Sequence, residues 1–168
     1  MWQKLRLVIA HSQEVYVALN VNQSPFNVGL SVEIEEFNAT QVKELVHLLS
    51  LNWSDTEINQ LREMIDGHPY LLTTALDEIA KGNLSLEQFL KIAPTEQGLY
   101  RDFLRFYVLE LEKDKLLKTA MQQVINSDVP IKIESAQAFK LRSLGLIEFK
   151  GNEVQSLCNL YRLYFKER

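Results

Sequence analysis

The sequence predicts a mainly α-helical fold with a short N-terminal strand and a small β-hairpin close to its C-terminal end. Three observations carry this prediction. Apolar residues recur at helical spacing from Asn38 onward, glycine and proline mark the ends of the predicted helices, and residues 150–152 have the composition of a hairpin turn. At 168 residues, the chain is long enough for one ordinary domain or two small ones.

The first 37 residues have the pattern of a strand followed by an extended segment. Residues 5–10, LRLVIA, form a short apolar run that is typical of a strand buried on both faces. Such strands normally lie in a parallel sheet covered by helices. Residues 28–34 then carry an apolar side chain at every second position, which indicates a half-buried strand or an extended loop. We predict that residues 1–37 are the remnant of an α/β core.

Residues 38–94 predict a compact unit of four helices with short connections. Three of its helices begin with a Ser or Asn that stands three positions before a Glu or Gln, the spacing of a reciprocal N-terminal cap. These pairs are Asn38 with Gln41, Ser54 with Glu57, and Ser85 with Gln88. Gly67 is placed to end the second helix in a left-handed turn, and Pro69 suits the first position of the third.

Residues 95–168 predict three helices, a hairpin and a last helix, which is the order of a winged-helix domain. The helices are expected at residues 96–113, 114–126 and 135–144, with a short extended piece at 129–133. The hairpin would pair residues 146–149 with 153–157, and the last helix would cover 159–167. In the third helix, Ala136, Phe139, Leu141 and Leu144 are the core candidates, whereas Tyr161, Tyr164 and Phe165 are expected to pack in the last.

Several kinds of chemistry have no residues to carry them. The sequence contains no G-x-x-x-x-G-K-[ST] phosphate loop and no apolar run ending in paired acids, so we predict no independent hydrolase. Its three histidines lack the spacing of a metal motif, and the single cysteine, Cys158, excludes an internal disulfide, so we expect it to be a packing residue and predict no metal site. With no apolar run of membrane length, a cytoplasmic location is expected.

Three groups of residues remain as candidate sites. Ser12 follows the predicted buried strand, where polar side chains often face a ligand, although a strand-end turn with a solvated serine is the simpler explanation of the residues alone. Gly67, His68 and Pro69 form a rigid corner that could lie against a flat base, or else serve only as helix cap and helix start. A thin nucleic-acid face is possible on Gln137, Lys140 and Arg142, but the net charge of −4 disfavours it. The acidic pair at residues 35–36 has the character of a solvated face.

The order of these pieces resembles the C-terminal half of the AAA-like domain of bacterial, especially cyanobacterial, STAND-type signalling ATPases. The resembling stretches are LRLVIAHS at residues 5–12, SPFNVG at 24–29, GHPYL at 67–71, PTEQGLY at 94–100 and LYRLYF at 160–165. Each is short, but their shared order spans about 160 residues.

The resemblance implies a role for each part of the chain. Residues 1–37 would carry the sensor-1 strand with Ser12 near the γ-phosphate. Residues 38–94 would be a helical lid, with Gly67 and Pro69 on either side of His68 forming a corner against the adenine of ATP or ADP. Residues 95–168 would be the winged-helix domain that packs over the nucleotide.

The phosphate loop and magnesium-binding acids of the family lie upstream of the strand at which this sequence begins. We therefore expect a non-catalytic module that senses nucleotide state or contacts proteins, binds no cofactor alone, and is at most half of an ATPase when paired with a separate P-loop chain. A protein partner is expected, and neither nucleic acid nor membrane. The alternative is a small winged-helix DNA-binding transcriptional regulator.

Overall fold

The computed structural model describes residues 34–166 and residue 168, which form eight helices and one two-stranded sheet. The strands predicted within residues 5–10 and 28–33 lie outside this range. Along the chain the elements are α1 Ala39–Leu48, α2 Asp55–Ile65, α3 Pro69–Ala80, α4 Leu86–Ile92, α5 Arg101–Glu112, α6 Lys115–Ile125, α7 Ser135–Ser143, β1 Ile147–Lys150, β2 Glu153–Ser156 and α8 Asn159–Lys166. Within residues 34–166, no helix is both long and apolar enough to cross a membrane.

The helices of residues 38–94 begin where their local signals predict. In α1, the side chain of Asn38 accepts a hydrogen bond from the backbone N–H of Gln41 at 3.0 Å, and the side chain of Gln41 accepts one from Asn38 N–H at 2.9 Å. The same reciprocal caps start α2 and α4. Pro69 occupies the first turn of α3, where its missing N–H costs no hydrogen bond. The four predicted helices are therefore confirmed.

The prediction that Gly67 ends α2 in a left-handed turn is wrong. The left-handed residue that ends α2 is Asp66, with φ of 49°, and Gly67 does not have a positive φ. Gly67 is required for a different reason, because a Cβ atom built on it would lie 2.1 Å from the carbonyl oxygen of Phe37.

The predicted helix at residues 96–113 also begins too early, since α5 starts at Arg101. Residues 94–100 form consecutive turns instead. The hydroxyl of Thr95 donates to the carbonyl of Ile92 at 2.8 Å and accepts from Gln97 N–H at 3.2 Å, which bends the chain back on α4. Gly98 permits this approach, because a Cβ there would lie 2.4 Å from the carbonyl oxygen of Ile92.

The hairpin is confirmed. Strand β1 pairs antiparallel with β2 from Ile147 opposite Ser156 to Lys150 opposite Glu153, and Gly151 takes φ of 66° in the two-residue turn. Ile131 extends the ladder by exchanging two backbone hydrogen bonds with Val154, at 3.0 and 2.8 Å. The core prediction for α7 is only partly right: Leu141 is buried, but Phe139 is 45% exposed.

One continuous hydrophobic core runs from Val42 to Phe165. Helix α8 lies at its centre, because it packs against α2, α5, α6 and β2. The predicted packing of Tyr161, Tyr164 and Phe165 is confirmed, since all three are buried. Cys158 is buried beside them as a free thiol, as expected of a packing residue. Burial raises the pKa of this thiol to about 12, so it is not a reactive nucleophile at neutral pH.

Candidate functional site

The junction between α2 and α3, residues 66–69, is the most constrained corner among the described residues. The carbonyl oxygen of Gly67 accepts a hydrogen bond from Phe37 N–H at 2.9 Å, and the contact leaves no space for a side chain on Gly67. His68 caps α3, since its Nδ1 atom accepts from Leu71 N–H at 3.4 Å. Burial lowers the pKa of His68, which favours the neutral ring that this acceptor needs.

The corner touches the second half of the molecule through aromatic rings. The ring centroids of His68 and Tyr70 lie 6.3 and 5.0 Å from that of Phe103 in α5. Phe103 in turn lies 5.0 Å from Tyr107 and 6.5 Å from Tyr161 in α8. We call these five side chains the aromatic cluster. Edge-to-face and offset pairs at such distances are favourable beyond the area that they bury.

A buried hydrogen bond strengthens the same link. The hydroxyl of Tyr100, just before α5, donates to the carbonyl oxygen of Leu71 in α3 at 2.6 Å. The Tyr161 hydroxyl, by contrast, is buried and has no hydrogen-bond partner in the described part of the chain. Burial raises the pKa of both phenols, so both remain neutral.

Glu36 is a residue of this corner that the sequence did not reveal. The prediction of a solvated acidic pair at residues 35–36 is wrong for Glu36, which is half-buried, and right for Glu35, which is exposed. Burial, Asp66 and Glu148 together raise the pKa of Glu36 to about 7, against the lowering effects of the Gly67 N–H and of Arg142. No local sequence pattern marks this, because the groups around Glu36 come from distant parts of the chain.

A cleft of about 510 Å³ opens next to the corner, between α2, residues 127–129, the end of β2 and α8. Arg62 and Arg162 both line it. The Nε atom of Arg62 is buried and has no partner among residues 34–166, whereas Nε of Arg162 donates to the carbonyl of Ile125 at 3.2 Å. Arg62 also pairs with Asp66 at 3.4 Å, so the cleft carries charges of both signs.

The three residues of the predicted nucleic-acid face do not form one basic surface. The Nζ atom of Lys140 pairs with Asp114, the N-cap of α6, at 3.0 Å. Gln137 is half-buried, and its side-chain carbonyl oxygen is enclosed. Arg142 is half-buried and close enough to Glu36 to lower the pKa of that carboxyl group.

The remaining predicted site residues divide in two. Gly67, His68 and Pro69 lie together at the corner, whereas Ser12 falls outside the described residues. No three His, Cys, Asp or Glu side chains of residues 34–166 converge in an arrangement that could hold a metal ion.

A family model for an AAA-like domain matches residues 1–167. No curated protein and no solved structure matches the chain.

Proposed function

The chain belongs to the AAA-like domain family, and from this membership we propose that it is a non-catalytic C-terminal part of a STAND-type ATPase module. In this proposal residues 38–94 are a helical lid and residues 95–168 a winged-helix domain. Together they respond to the nucleotide state of an ATPase core and transmit it to a partner protein. The partner would be a chain or domain that supplies the P-loop, with which the corner at Gly67, His68 and Pro69 would meet ATP or ADP.

The observation that carries the proposal is the aromatic cluster. A response at the corner can pass to α5 and α8 through direct contact, which the rings of His68 and Tyr70 provide by packing on Phe103. The hydrogen bond from Tyr100 to Leu71 adds a second connection. Chains of packed side chains are one means by which energetic coupling passes between two sites.

The winged-helix assignment is supported by the arrangement of α5 to β2. Three helices precede an antiparallel hairpin, Ile131 adds a bridge to its second strand, and α7 packs on its first. The lid assignment is supported by four short helices whose third begins at the Gly67–Pro69 corner. The sequence offers no G-x-x-x-x-G-K-[ST] loop for catalysis.

Two measurements on the purified chain test the proposal. We expect no ATP turnover, and hydrolysis at roughly 1 s⁻¹ or faster, within the ordinary range of enzymes, would overturn the non-catalytic assignment. We also expect Phe103→Ala to raise hydrogen exchange in both α3 and α8, while Leu109→Ala, at a side chain of the same helix that is 60% exposed, leaves them unchanged. An effect of Phe103→Ala confined to α5 would contradict transmission through the cluster.

The alternative, a winged-helix DNA-binding regulator, has weaker support. Of its three candidate residues, Lys140 is engaged by Asp114 and Gln137 is half-buried. DNA affinity depends on phosphate contacts and falls steeply with salt. Flow-through on a heparin column at physiological ionic strength is therefore expected. Retention that disappears at moderate salt would favour the regulator instead.

A further inference from the structure

Helix α5 carries two large apolar side chains on the face that points away from the core. The residues of this helix that are buried in the core are Leu104, Tyr107 and Leu111. Phe106 and Leu109 lie on the opposite side, where they are 48% and 60% exposed. Single exposed apolar residues are common, but two neighbours on the outward face of one helix favour an interaction surface.

Two residues of opposite charge extend this face at its ends. Asp102 stands four positions before Phe106, and Lys113 stands four positions after Leu109, directly at the end of α5. At 3.6 residues per turn, all four side chains fall within about 60° of one another around the helix axis. The side chains of Asp102 and Lys113 are 79% and 66% exposed. We call these four residues the α5 stripe.

The order of residues along the α5 stripe is complementary to its own reverse. When two copies of α5 pack antiparallel about a two-fold axis, Asp102 of each copy lies opposite Lys113 of the other, and Phe106 lies opposite Leu109. Arg105 and Glu112, which share one flank of the stripe, are brought together across the axis in the same way. A parallel pairing would instead place like charges opposite each other at both ends, which is unfavourable.

The ion pairs that these charges make within the chain leave them able to bind a second copy. The carboxylate of Asp102 lies 3.5 Å from Arg105, and Nζ of Lys113 lies 2.5 Å from Glu110. Both are exposed pairs, which contribute little to stability because water screens them. A carboxylate has two acceptor oxygens and an ammonium group has three protons, so each can contact a second partner while it keeps the first.

We propose that the α5 stripe is a self-association surface on which a second copy of this chain docks, with the two α5 helices antiparallel. A helix of 12 residues is only about 18 Å long. The interface is therefore smaller than the roughly 1,200 Å² of typical stable complexes, and we expect a reversible dimer with a Kd on the order of 100 µM. This inference does not depend on the function proposed above, since it concerns only the outward face of α5.

The first test exchanges the charges at the ends of the α5 stripe and measures self-association by sedimentation velocity over a range of concentrations. Asp102→Lys and Lys113→Glu should each weaken the dimer roughly tenfold, because each change puts like charges opposite each other at both ends. An equimolar mixture of the two variants should restore wild-type affinity, since every end of the mixed dimer again joins opposite charges. Variants that are not rescued by mixing would overturn the antiparallel pairing, and rescue itself shows that both variants are folded.

The second test removes one apolar side chain. Leu109→Ser should weaken the dimer at least tenfold, on the order of the loss expected when two-fold symmetry removes the contact twice. Val129→Ser is the matched control, because Val129 is 66% exposed but lies outside α5, and it should dimerise like the wild type. A wild-type chain that stays monomeric up to about 1 mM, or a dimer that Leu109→Ser does not weaken, would overturn the proposal.

Discussion

The two halves of the described chain are held in different ways. Each of the four helices in residues 38–93 has a side chain at its N-terminus that accepts a backbone hydrogen bond from its own first turn. Of the helices between residues 94 and 166, α5 and α7 have no such cap, whereas α6 has one from Asp114. The second half relies on contacts between residues far apart, such as the hydrogen bond from the Tyr164 hydroxyl to Glu96 at 2.9 Å.

This difference explains which features a sequence can reveal. A cap is a local signal, because its two partners stand three residues apart and suit one conformation. A contact such as Tyr164 with Glu96 joins residues 68 positions apart and leaves no periodic trace. Exchanges that remove a cap should therefore cost little and act locally. Exchanges that remove a long-range contact should cost more and spread.

The largest effect is expected from Tyr161→Ala. This side chain is fully buried, and its ring lies 6.5 Å from Phe103, 6.1 Å from Tyr107 and 6.3 Å from Phe165. Removing a buried aromatic ring should lower the free energy of unfolding by about 4 kcal/mol. Leu163→Ala in the same helix is the control, and at 39% exposure it should cost under about 1 kcal/mol. Equal losses in chemical denaturation would mean that the cluster does not organise the second half.

The next effect is an exception to the difference between the two halves. It concerns a contact between residues far apart in the sequence that lies in the first half, where the helices are capped locally. Gly67→Ala should cost about 3 kcal/mol, since the new methyl group would lie 2.1 Å from the carbonyl oxygen of Phe37 and the backbone at Phe37 must move. Gly82→Ala, with φ of 75° but no atom within 4 Å of the new methyl group, should cost about 1 kcal/mol. Only Gly67→Ala should also expose the Phe37 amide to exchange. Protection of that amide in Gly67→Ala would show that the hydrogen bond from Phe37 to residue 67 does not depend on the missing side chain.

Sequence patterns were sufficient for the helices of the first half and for the hairpin. The pair Ser54 and Glu57 predicts a helix N-terminus, and Gly151 predicts a tight turn; the structure contains both. The start of α5 was not predictable in this way, because residues 96 and 97 are good helix formers. Their helical preference is overridden when the Glu96 carboxylate binds Tyr164 and Arg105, partners that only the tertiary fold brings near.

The candidate site also has features that local sequence signals predict and features that depend on residues far apart in the chain. The rigidity of the corner was visible in the letters G-H-P, and Pro69 does begin α3. The raised pKa of Glu36 could not be predicted from the sequence. The groups that shift it, Asp66, Glu148 and Arg142, lie between 30 and 112 residues away along the chain. Arg62 and Arg162 likewise line one cleft although 100 positions separate them in the sequence. Chemistry that depends on several distant elements gives no local pattern, whatever its strength.

A smaller effect sharpens the comparison with a matched pair of N-terminal cap positions. Ser54→Ala removes the oxygen that accepts from Glu57 N–H at 3.3 Å and should cost about 1 kcal/mol. Glu134→Ala changes the corresponding position of α7, where no side-chain cap bond forms within the described residues, and should cost less than about 0.5 kcal/mol. Urea denaturation measures both. If Glu134→Ala proves as costly as Ser54→Ala, α7 depends on its N-terminal residue as α2 does.

The smallest effect separates two buried tyrosines that look alike in the sequence. Tyr161→Phe should leave the free energy of unfolding within about 0.5 kcal/mol of the wild type or raise it, because the hydroxyl that it removes is buried without a partner among the described residues. Tyr100→Phe removes the donor to the Leu71 carbonyl at 2.6 Å and should cost about 1 kcal/mol, since that oxygen is then left unpaired. Removing the tyrosine hydroxyl is therefore expected to lower the free energy of unfolding at Tyr100 but not at Tyr161. A loss of more than about 1 kcal/mol in Tyr161→Phe would show that its hydroxyl has a partner, and the junction beside Glu36 would be where to look for it.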